Sequence, residues 1–273
     1  MRCDEEARDR IATRLAAIAV EAGRLLQTFE KGANAHRIKA DGTPSSQADL
    51  AAEDLIMRRL GEAWPEVPVI AEETANAVVP GEVFFLVDPL DGTRDFLHGS
   101  GEYSVNIALV ADDRPVAAAV ASPALDRVWI AGATAMAGSL PLVGGEVAWR
   151  TIHARAAPED GLVALVSRRH GDEATDACLA ELSIGTLRQA SSAVKFCLIA
   201  AGEADIYVRC GPTMEWDTAA GDHILTRAGG CVIKAGGGML TYGHHASGYL
   251  NGPFAALGDR ALAPRMNLPL AAA

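Results

Sequence analysis

Long apolar segments are missing from this 273-residue chain. No run approaches the roughly 20 residues that a membrane-spanning helix needs, which excludes an integral span. Aromatic residues make up only 5% of the chain, so its core has to rely on Ala, Val, Leu and Ile. There is no repeat and no low-complexity tract. The chain is nevertheless 49% apolar, which is enough for one large domain or two closely packed ones.

Basic residues are also in short supply, 24 against 35 acidic ones, and the formal charge is −11. A surface this acidic argues against nonspecific binding to nucleic acid or to an anionic membrane. The five cysteines are odd in number and form no CxxC pair, which favours reduced thiols in a cytoplasmic protein. The charged N-terminus does not resemble a signal peptide. Peripheral attachment at the inner membrane stays open.

Hydrophobic periodicity predicts an antiparallel α+β half over residues 1–150. An apolar residue recurs every three or four positions from Ile11 to Phe29, which predicts an amphipathic helix over residues 5–30. Residues 40–45 are predicted to form a turn. The remaining elements predicted for this half are a helix over 46–60 and strands over 67–70, 83–87, 103–110, 115–122 and 127–131.

After about residue 150 strands and helices alternate, which predicts an α/β half over residues 151–273. Its predicted strands are 162–167, 185–189 and 204–208, and its predicted helices are 172–182, 192–201 and 216–228.

Two carboxylates end the apolar strand predicted over 83–87. Asp88 and Asp91 place charge beside a core, which is costly unless a cation compensates it. Pro89 and Gly92 bend the chain, so both carboxylates and the Leu90 carbonyl can converge, and hard oxygen ligands of this kind suit Mg²⁺. A capped turn without metal is an equally good interpretation of this local pattern.

Three further acidic positions have ordinary structural interpretations. The Glu72-Glu73 pair follows a short apolar run and fits a solvated loop. Asp217 lies at the start of the helix predicted over 216–228, where it would serve as an N-cap. Asp49 lies three residues after Ser46, at the spacing of a capping box.

Longer motifs favour a metal site over these structural interpretations of the acidic residues. Residues 85–96 read FLVDPLDGTRDF, 101–107 read GEYSVNI, and 216–221 read WDTAAG. Together with IAEE at 70–73 and Asp49, these motifs resemble the signature of the inositol monophosphatase superfamily. The resemblance covers residues 5–258 and implies a mixed α+β and α/β fold, a layered α-β-α-β-α sandwich of the inositol monophosphatase-like type.

A branch of the superfamily is also indicated. The TRDF run at 93–96, SSAVKFCL at 191–198, ADIYVR at 204–209 and GPTMEWD at 211–217 resemble the CysQ-type 3′(2′),5′-bisphosphate nucleotidases. One departure is the Ser45-Ser46 pair, where the family commonly has Val-Thr.

The resemblance implies the chemistry. It assigns two or three Mg²⁺ ions to five ligands, with Thr93 holding and helping to deprotonate the attacking water and Asp49 accepting from the Thr93 hydroxyl. The implied metal ligands are Glu72, Asp88, the Leu90 carbonyl, Asp91 and Asp217. The backbone N–H groups of Gly92 and Thr93 are implied to bind the reacting phosphate.

Substrate selection is expected to fall to the second half. Lys195 and Arg209 are the candidates for a phosphate that is not cleaved, since Arg suits bidentate phosphate contact and Lys acts as a point charge. For any single Lys or Arg, surface solvation is the ordinary alternative. Ser192 and His170 are further candidate substrate contacts. The other histidines are expected to be structural or exposed.

The leading functional hypothesis is hydrolysis of the 3′-phosphate of adenosine 3′,5′-bisphosphate, a phosphorylated small molecule, to AMP and phosphate. An inositol or broad sugar-phosphate phosphatase of the same fold is the alternative, and a non-catalytic nucleotide-binding module is a third possibility. The resemblance also implies inhibition by lithium. No nucleic-acid partner is expected, and the oligomeric state is left open between monomer and homodimer.

Overall fold

The first helix shows how an alanine-rich sequence forms this core. Ile11, Leu15, Ile18, Ala22 and Leu26 recur every three or four residues and are all buried on one side of Glu5–Glu30. The predicted helix over 5–30 is therefore confirmed.

The computed structural model describes residues 4–30, 36–38, 44–75, 79–99, 101–140, 145–167 and 171–270, with only the backbone described for 36–38 and 44–46. The α-helices in these ranges are α1 (Glu5–Glu30), α2 (Gln47–Ala63), α3 (Thr93–Leu97), α4 (Glu173–Ala180), α5 (Val194–Ala200) and α6 (Glu215–Arg227). The strands are β1 (His36–Ile38), β2 (Pro44–Ser46), β3 (Val69–Ala71), β4 (Val83–Asp91), β5 (Ser104–Ala111), β6 (Arg114–Ser122), β7 (Arg127–Ala131), β8 (Ala135–Ser139), β9 (Arg150–Thr151), β10 (Leu162–Val166), β11 (Ile184–Gln189), β12 (Ile206–Arg209), β13 (Thr213–Met214), β14 (Cys231–Lys234), β15 (Leu250–Asn251) and β16 (Phe254–Leu257).

Seven strands form the larger sheet, in the order β3-β4-β5-β6-β7-β8-β9. From β4 to β9 every neighbouring pair is antiparallel, and only the short β3 pairs parallel to β4. The antiparallel arrangement expected for the strands between residues 83 and 131 is thereby confirmed.

Alanines in β6 let helices approach this sheet closely from both sides. Ala117, Ala119 and Ala121 face the core shared with α1 and α2, while Ala118 and Val120 face the core shared with α5 and α6. This alternation follows from the two-residue period of a strand. It leaves both faces of the sheet buried.

The second sheet is mixed, with the order β11-β10-β12-β16-β14. The strands β10, β11 and β12 run parallel, as expected for alternating strands and helices, and β16 and β14 add antiparallel pairing. One face of this sheet packs on α5 and α6. The other face packs on α4 through the α4 residues Cys178 and Leu179. The layers therefore follow the predicted α-β-α-β-α order. The division near residue 150 stays a prediction.

Some elements were not predicted from the sequence. The strands β1, β8, β9 and β13 to β16 were not predicted. The turn expected over 40–45 lies mostly outside the described residues, and its last two positions belong to β2. Four cysteines, Cys178, Cys197, Cys210 and Cys231, are free thiols. Among the described residues, no helix is both long and apolar enough to cross a bilayer.

Candidate active site

The end of β4 carries the two aspartates that the sequence singled out. Asp88 pairs with Asn106 of β5 and Asp91 pairs with Ser104, with an irregular register between the two aspartates. Gly92 then takes a φ of 92°, and a Cβ there would lie 2.9 Å from the Glu102 carbonyl oxygen. Glycine is therefore required at this turn, which leads directly into α3.

Thr93 is the first residue of α3, and its hydroxyl faces two acceptors. The Thr93 Oγ1 atom lies 3.1 Å from Asp49 Oδ1 and 3.1 Å from the Leu90 carbonyl oxygen. Asp49, in the first turn of α2, is fully buried. Because a hydroxyl has one proton and a carboxylate is the stronger acceptor, the Thr93 hydroxyl donates preferentially to Asp49. The Ser46 side chain of the suggested capping box lies outside the described residues.

A pocket of about 230 Å³ opens above this turn, between the two sheets. Every predicted metal ligand and every predicted substrate contact except His170 lines it. The predicted residues along its wall are Glu72, Asp88, Leu90, Asp91, Gly92, Thr93, Ser192, Lys195, Arg209 and Asp217. His170 lies outside the described residues. Asp49 stands behind Thr93 and does not line the pocket.

Asp217 enters the pocket from α6, more than a hundred residues after β4. The helix begins at Glu215, so Asp217 lies in its first turn and the N-cap position expected for it is wrong. Its Oδ2 atom accepts from the Thr213 hydroxyl at 2.6 Å and from the Met214 N–H at 3.1 Å. Asp217 therefore fixes the start of α6 while its carboxylate faces the pocket.

Four carboxylates, Glu72, Asp88, Asp91 and Asp217, form the acidic wall of the pocket. Burial disfavours the negative charge of two of them, Asp88 and Asp91. Burial, together with the carboxylates of Glu72, Asp91 and Asp217, raises the pKa of Asp88 well above its ordinary range. Burial and Asp217 raise the pKa of Asp91 to about 6, although Lys195 partly offsets this rise. A cation in the pocket would relieve both effects.

The donor set suits magnesium by its chemistry, because four carboxylates and one carbonyl oxygen are hard oxygen ligands. Among the described residues, no three His, Cys, Asp or Glu side chains are arranged to enclose one ion. One oxygen of each aspartate already accepts protein hydrogen bonds, as for Asp88 Oδ1 from the Leu90 N–H at 3.0 Å. The residues therefore fit the ion by ligand type and by shared location, and the metal site stays a prediction.

Lys195 faces the acidic wall from α5. Only 3% of its surface is exposed, and its ammonium donates to the Ser192 carbonyl at 2.9 Å and to the Ala190 carbonyl at 3.4 Å. It also lies 4.7 Å from the centre of the Tyr207 ring. Among the described residues no carboxylate forms a salt bridge with it. The surface solvation expected for an ordinary lysine does not apply here.

Arg209, at the end of β12, supplies the second positive charge. One of its terminal nitrogens donates to the Pro212 carbonyl oxygen at 2.6 Å, and its Nε is buried with no hydrogen-bond acceptor in the described part of the chain. A buried N–H without an acceptor is costly. An anionic ligand in the pocket would supply one.

Sequence reasoning missed several residues around this pocket. Asp95 Oδ2 accepts from the Ser191 hydroxyl at 2.8 Å, and both side chains are buried. Glu53 of α2 accepts the Glu73 N–H at 2.9 Å and so holds the turn that carries Glu72. Asp95 and Ser191 both lie inside the motifs of the resemblance. Their presence there was the only signal, and it did not reveal that they touch.

Comparison with known proteins agrees with this geometry. The sequence profile of the inositol monophosphatase family matches residues 5–265. The 3′(2′),5′-bisphosphate nucleotidase CysQ of Escherichia coli K12 is 35% identical over 216 residues, which cover 75% of this chain and 81% of that protein. The CysQ protein of Haemophilus influenzae is 28% identical over 247 residues, covering 89% and 91%.

Solved structures show the same similarity. The crystal structure of CysQ from Bacteroides thetaiotaomicron, a bacterial member of the inositol monophosphatase family, superposes with a TM-score of 0.77 at 31% identity, covering 92% of this chain and 98% of that one. An IMPase of Thermotoga maritima superposes with a TM-score of 0.72 at 22% identity, covering 92% of each chain. The second likeness concerns the fold alone.

Proposed function

The chain belongs to the inositol monophosphatase family, and from this premise we propose that it removes the 3′-phosphate of adenosine 3′,5′-bisphosphate, giving AMP and phosphate. One observation carries the proposal: the pocket joins an acidic wall to two cations, Lys195 and Arg209. A substrate with two phosphates places one at the acidic wall, where it is cleaved, and the other at the cations. A monophosphate has no second phosphate to contact Lys195 and Arg209.

Magnesium held by Glu72, Asp88, the Leu90 carbonyl, Asp91 and Asp217 would neutralise these carboxylates and stabilise the charge on the transferring phosphoryl group. Because these ligands include residues of both β4 and α6, both halves of the chain are needed to bind the metal.

The chain's own proton-handling group is the Thr93 hydroxyl. Because this hydroxyl donates to Asp49, its oxygen lone pairs remain available to accept a proton from an attacking water. The buried Asp49 carboxylate orients the hydroxyl and would accept the hydroxyl's own proton as the hydroxyl takes one from the water. No covalent phosphoenzyme is required by this arrangement.

Binding of the two phosphates divides between the two halves. The backbone N–H groups of Gly92 and Thr93 are proposed to hold the phosphate that is cleaved. Lys195 and Arg209 are proposed to hold the other one, because each has a positive charge that protein carboxylates leave without a salt bridge in the described structure. Ser192 and His170 remain proposed contacts to the nucleotide.

Comparative kinetics test the proposal. With Mg²⁺ present, kcat/KM for adenosine 3′,5′-bisphosphate is expected to exceed that for inositol 1-phosphate and for adenosine 3′-monophosphate. Lys195→Gln should raise KM for the bisphosphate about tenfold or more, because a charge-assisted contact is lost. Lys234→Gln removes an exposed lysine outside the pocket and serves as the matched control. A far higher kcat/KM for inositol 1-phosphate would overturn the assignment.

A further inference from the structure

The turn between β11 and α5 is attached to the segment that carries the reaction. At one end of the turn the Ser191 hydroxyl donates to Asp95 Oδ2 at 2.8 Å. At the other end the Ala193 N–H donates to Asp91 Oδ2 at 2.6 Å. Two carboxylates four residues apart on β4 and α3 therefore hold a turn that lies about a hundred residues further along the chain.

The residue between these two attachments has an unfavourable backbone conformation. Ser192 has a φ of 60°, in the left-handed region that residues with a side chain seldom adopt. Such a conformation persists only where its surroundings impose it. The hydrogen bonds on either side of Ser192, from Ser191 and Ala193, supply this constraint.

The position of the Lys195 ammonium depends on the same turn. Its two hydrogen-bond acceptors are the carbonyl oxygens of Ala190 and Ser192, which flank Ser191. If Ser192 relaxed to an ordinary conformation, its carbonyl would rotate away, and Lys195 would lose its shorter hydrogen bond. The conformation of the turn therefore sets where the positive charge stands relative to Asp91 and the acidic wall.

From these contacts we infer that Asp95 and Ser191 are positioning residues for substrate selection. Their hydrogen bond fixes the 190–194 turn so that Lys195 meets the phosphate that is not cleaved, while neither side chain has to take part in the chemical step. The inference rests on the proposed function and deepens it, since it identifies what aligns the site for the second phosphate with the site of reaction.

The test measures kcat and KM of wild type, Ser191→Ala, Asp95→Ala, Asp95→Asn and the double alanine variant. The substrates are adenosine 3′,5′-bisphosphate and adenosine 3′-monophosphate, which differ only in the second phosphate. Asp95→Asn keeps an oxygen that can accept from Ser191. Ser122→Ala is the matched control, because it also removes a buried hydroxyl, one that donates to the Tyr103 carbonyl outside the pocket.

Both single alanine variants are expected to raise KM for the bisphosphate about tenfold, with kcat changed by less than about threefold and the monophosphate little affected. The double variant should be no worse than the more impaired single variant, since both remove the same hydrogen bond. Asp95→Asn should stay within about threefold of wild type. Ser122→Ala should preserve the preference for the bisphosphate.

Two results would overturn the inference. One is an unchanged KM for the bisphosphate in Ser191→Ala, and the other is an equal loss of kcat/KM for both substrates, which would place the pair in the support of the reaction itself. The substrate preference of the wild type distinguishes these results from failure of the proposed function. If wild type did not prefer the bisphosphate over the monophosphate, the proposed function would fail before any variant was compared.

Discussion

His223 gives a stability prediction that can be worked out from its surroundings. It lies on α6 and is buried, and its Nε2 atom lies 3.0 Å from the Gly132 carbonyl oxygen. A carbonyl oxygen only accepts, so Nε2 carries the proton of a neutral imidazole. Burial, with smaller contributions from Arg227 and Arg114, lowers the pKa of His223 from 6.5 to about 3.

The direction of the pH effect follows from proton binding. In the unfolded chain His223 takes up a proton near its ordinary pKa of 6.5, whereas in the folded protein it does so only near 3. The unfolded state therefore binds more protons between these values. The contribution of His223 to stability is complete above pH 6.5 and is lost as the pH falls toward 3. At pH 5 the loss is about 2 kcal/mol.

Urea unfolding of wild type and His223→Gln between pH 7.5 and pH 5 measures this loss. The wild type is expected to lose about 2 kcal/mol more than the variant over this range. Asp88 and Asp91, whose pKa values are raised, respond in the opposite direction but contribute equally to both proteins. His153→Gln, which removes an exposed histidine, serves as the matched control. Parallel pH profiles for wild type and His223→Gln would refute the reasoning.

Three further predictions concern the site and its support. Asp91→Asn removes a carboxylate of the acidic wall, and Mg²⁺-dependent kcat should fall by at least about a thousandfold; near-normal activity would refute the metal-based account. Thr93→Val keeps the side-chain shape but removes the hydroxyl that donates to Asp49, so kcat should fall about a hundredfold or more with KM changing far less; unchanged turnover would exclude Thr93 from proton handling. Gly221→Ala places a Cβ 2.6 Å from Phe196 Cγ between α5 and α6. Thermal or urea unfolding should therefore show a loss of stability of about 1–3 kcal/mol, which outweighs the gain from improved helix propensity. A more stable variant would contradict this packing.

Local sequence patterns were sufficient for elements with a strong period. The helix Glu5–Glu30 repeats its apolar residues over about five turns, and the strand that begins at Val83 is apolar almost throughout, so each was predictable from its own residues. Strands of two to four residues, such as β13 and β15, were not. Such a short segment has no measurable period, and its pairing is decided by residues far away in the chain.

The residues of the site also fall into those that a local pattern predicts and those that it does not. Asp88, Asp91 and Thr93 lie within six residues, so their convergence followed from one turn. The contact between Asp95 and Ser191 joins positions 96 residues apart, and no local pattern reports such a contact. Asp217 was expected at the N-cap, whereas it is the third residue of α6, because the helix begins at Glu215.

The central claim is tested most directly by identifying the product of one reaction. Adenosine 3′,5′-bisphosphate is incubated with the full chain and Mg²⁺, and the nucleotides are separated by chromatography against authentic standards. The account predicts AMP with its phosphate at the 5′ position, released together with one equivalent of inorganic phosphate, and no turnover when a chelator removes the metal. Formation of adenosine 3′-monophosphate, or no hydrolysis under conditions in which inositol 1-phosphate is consumed, would contradict it.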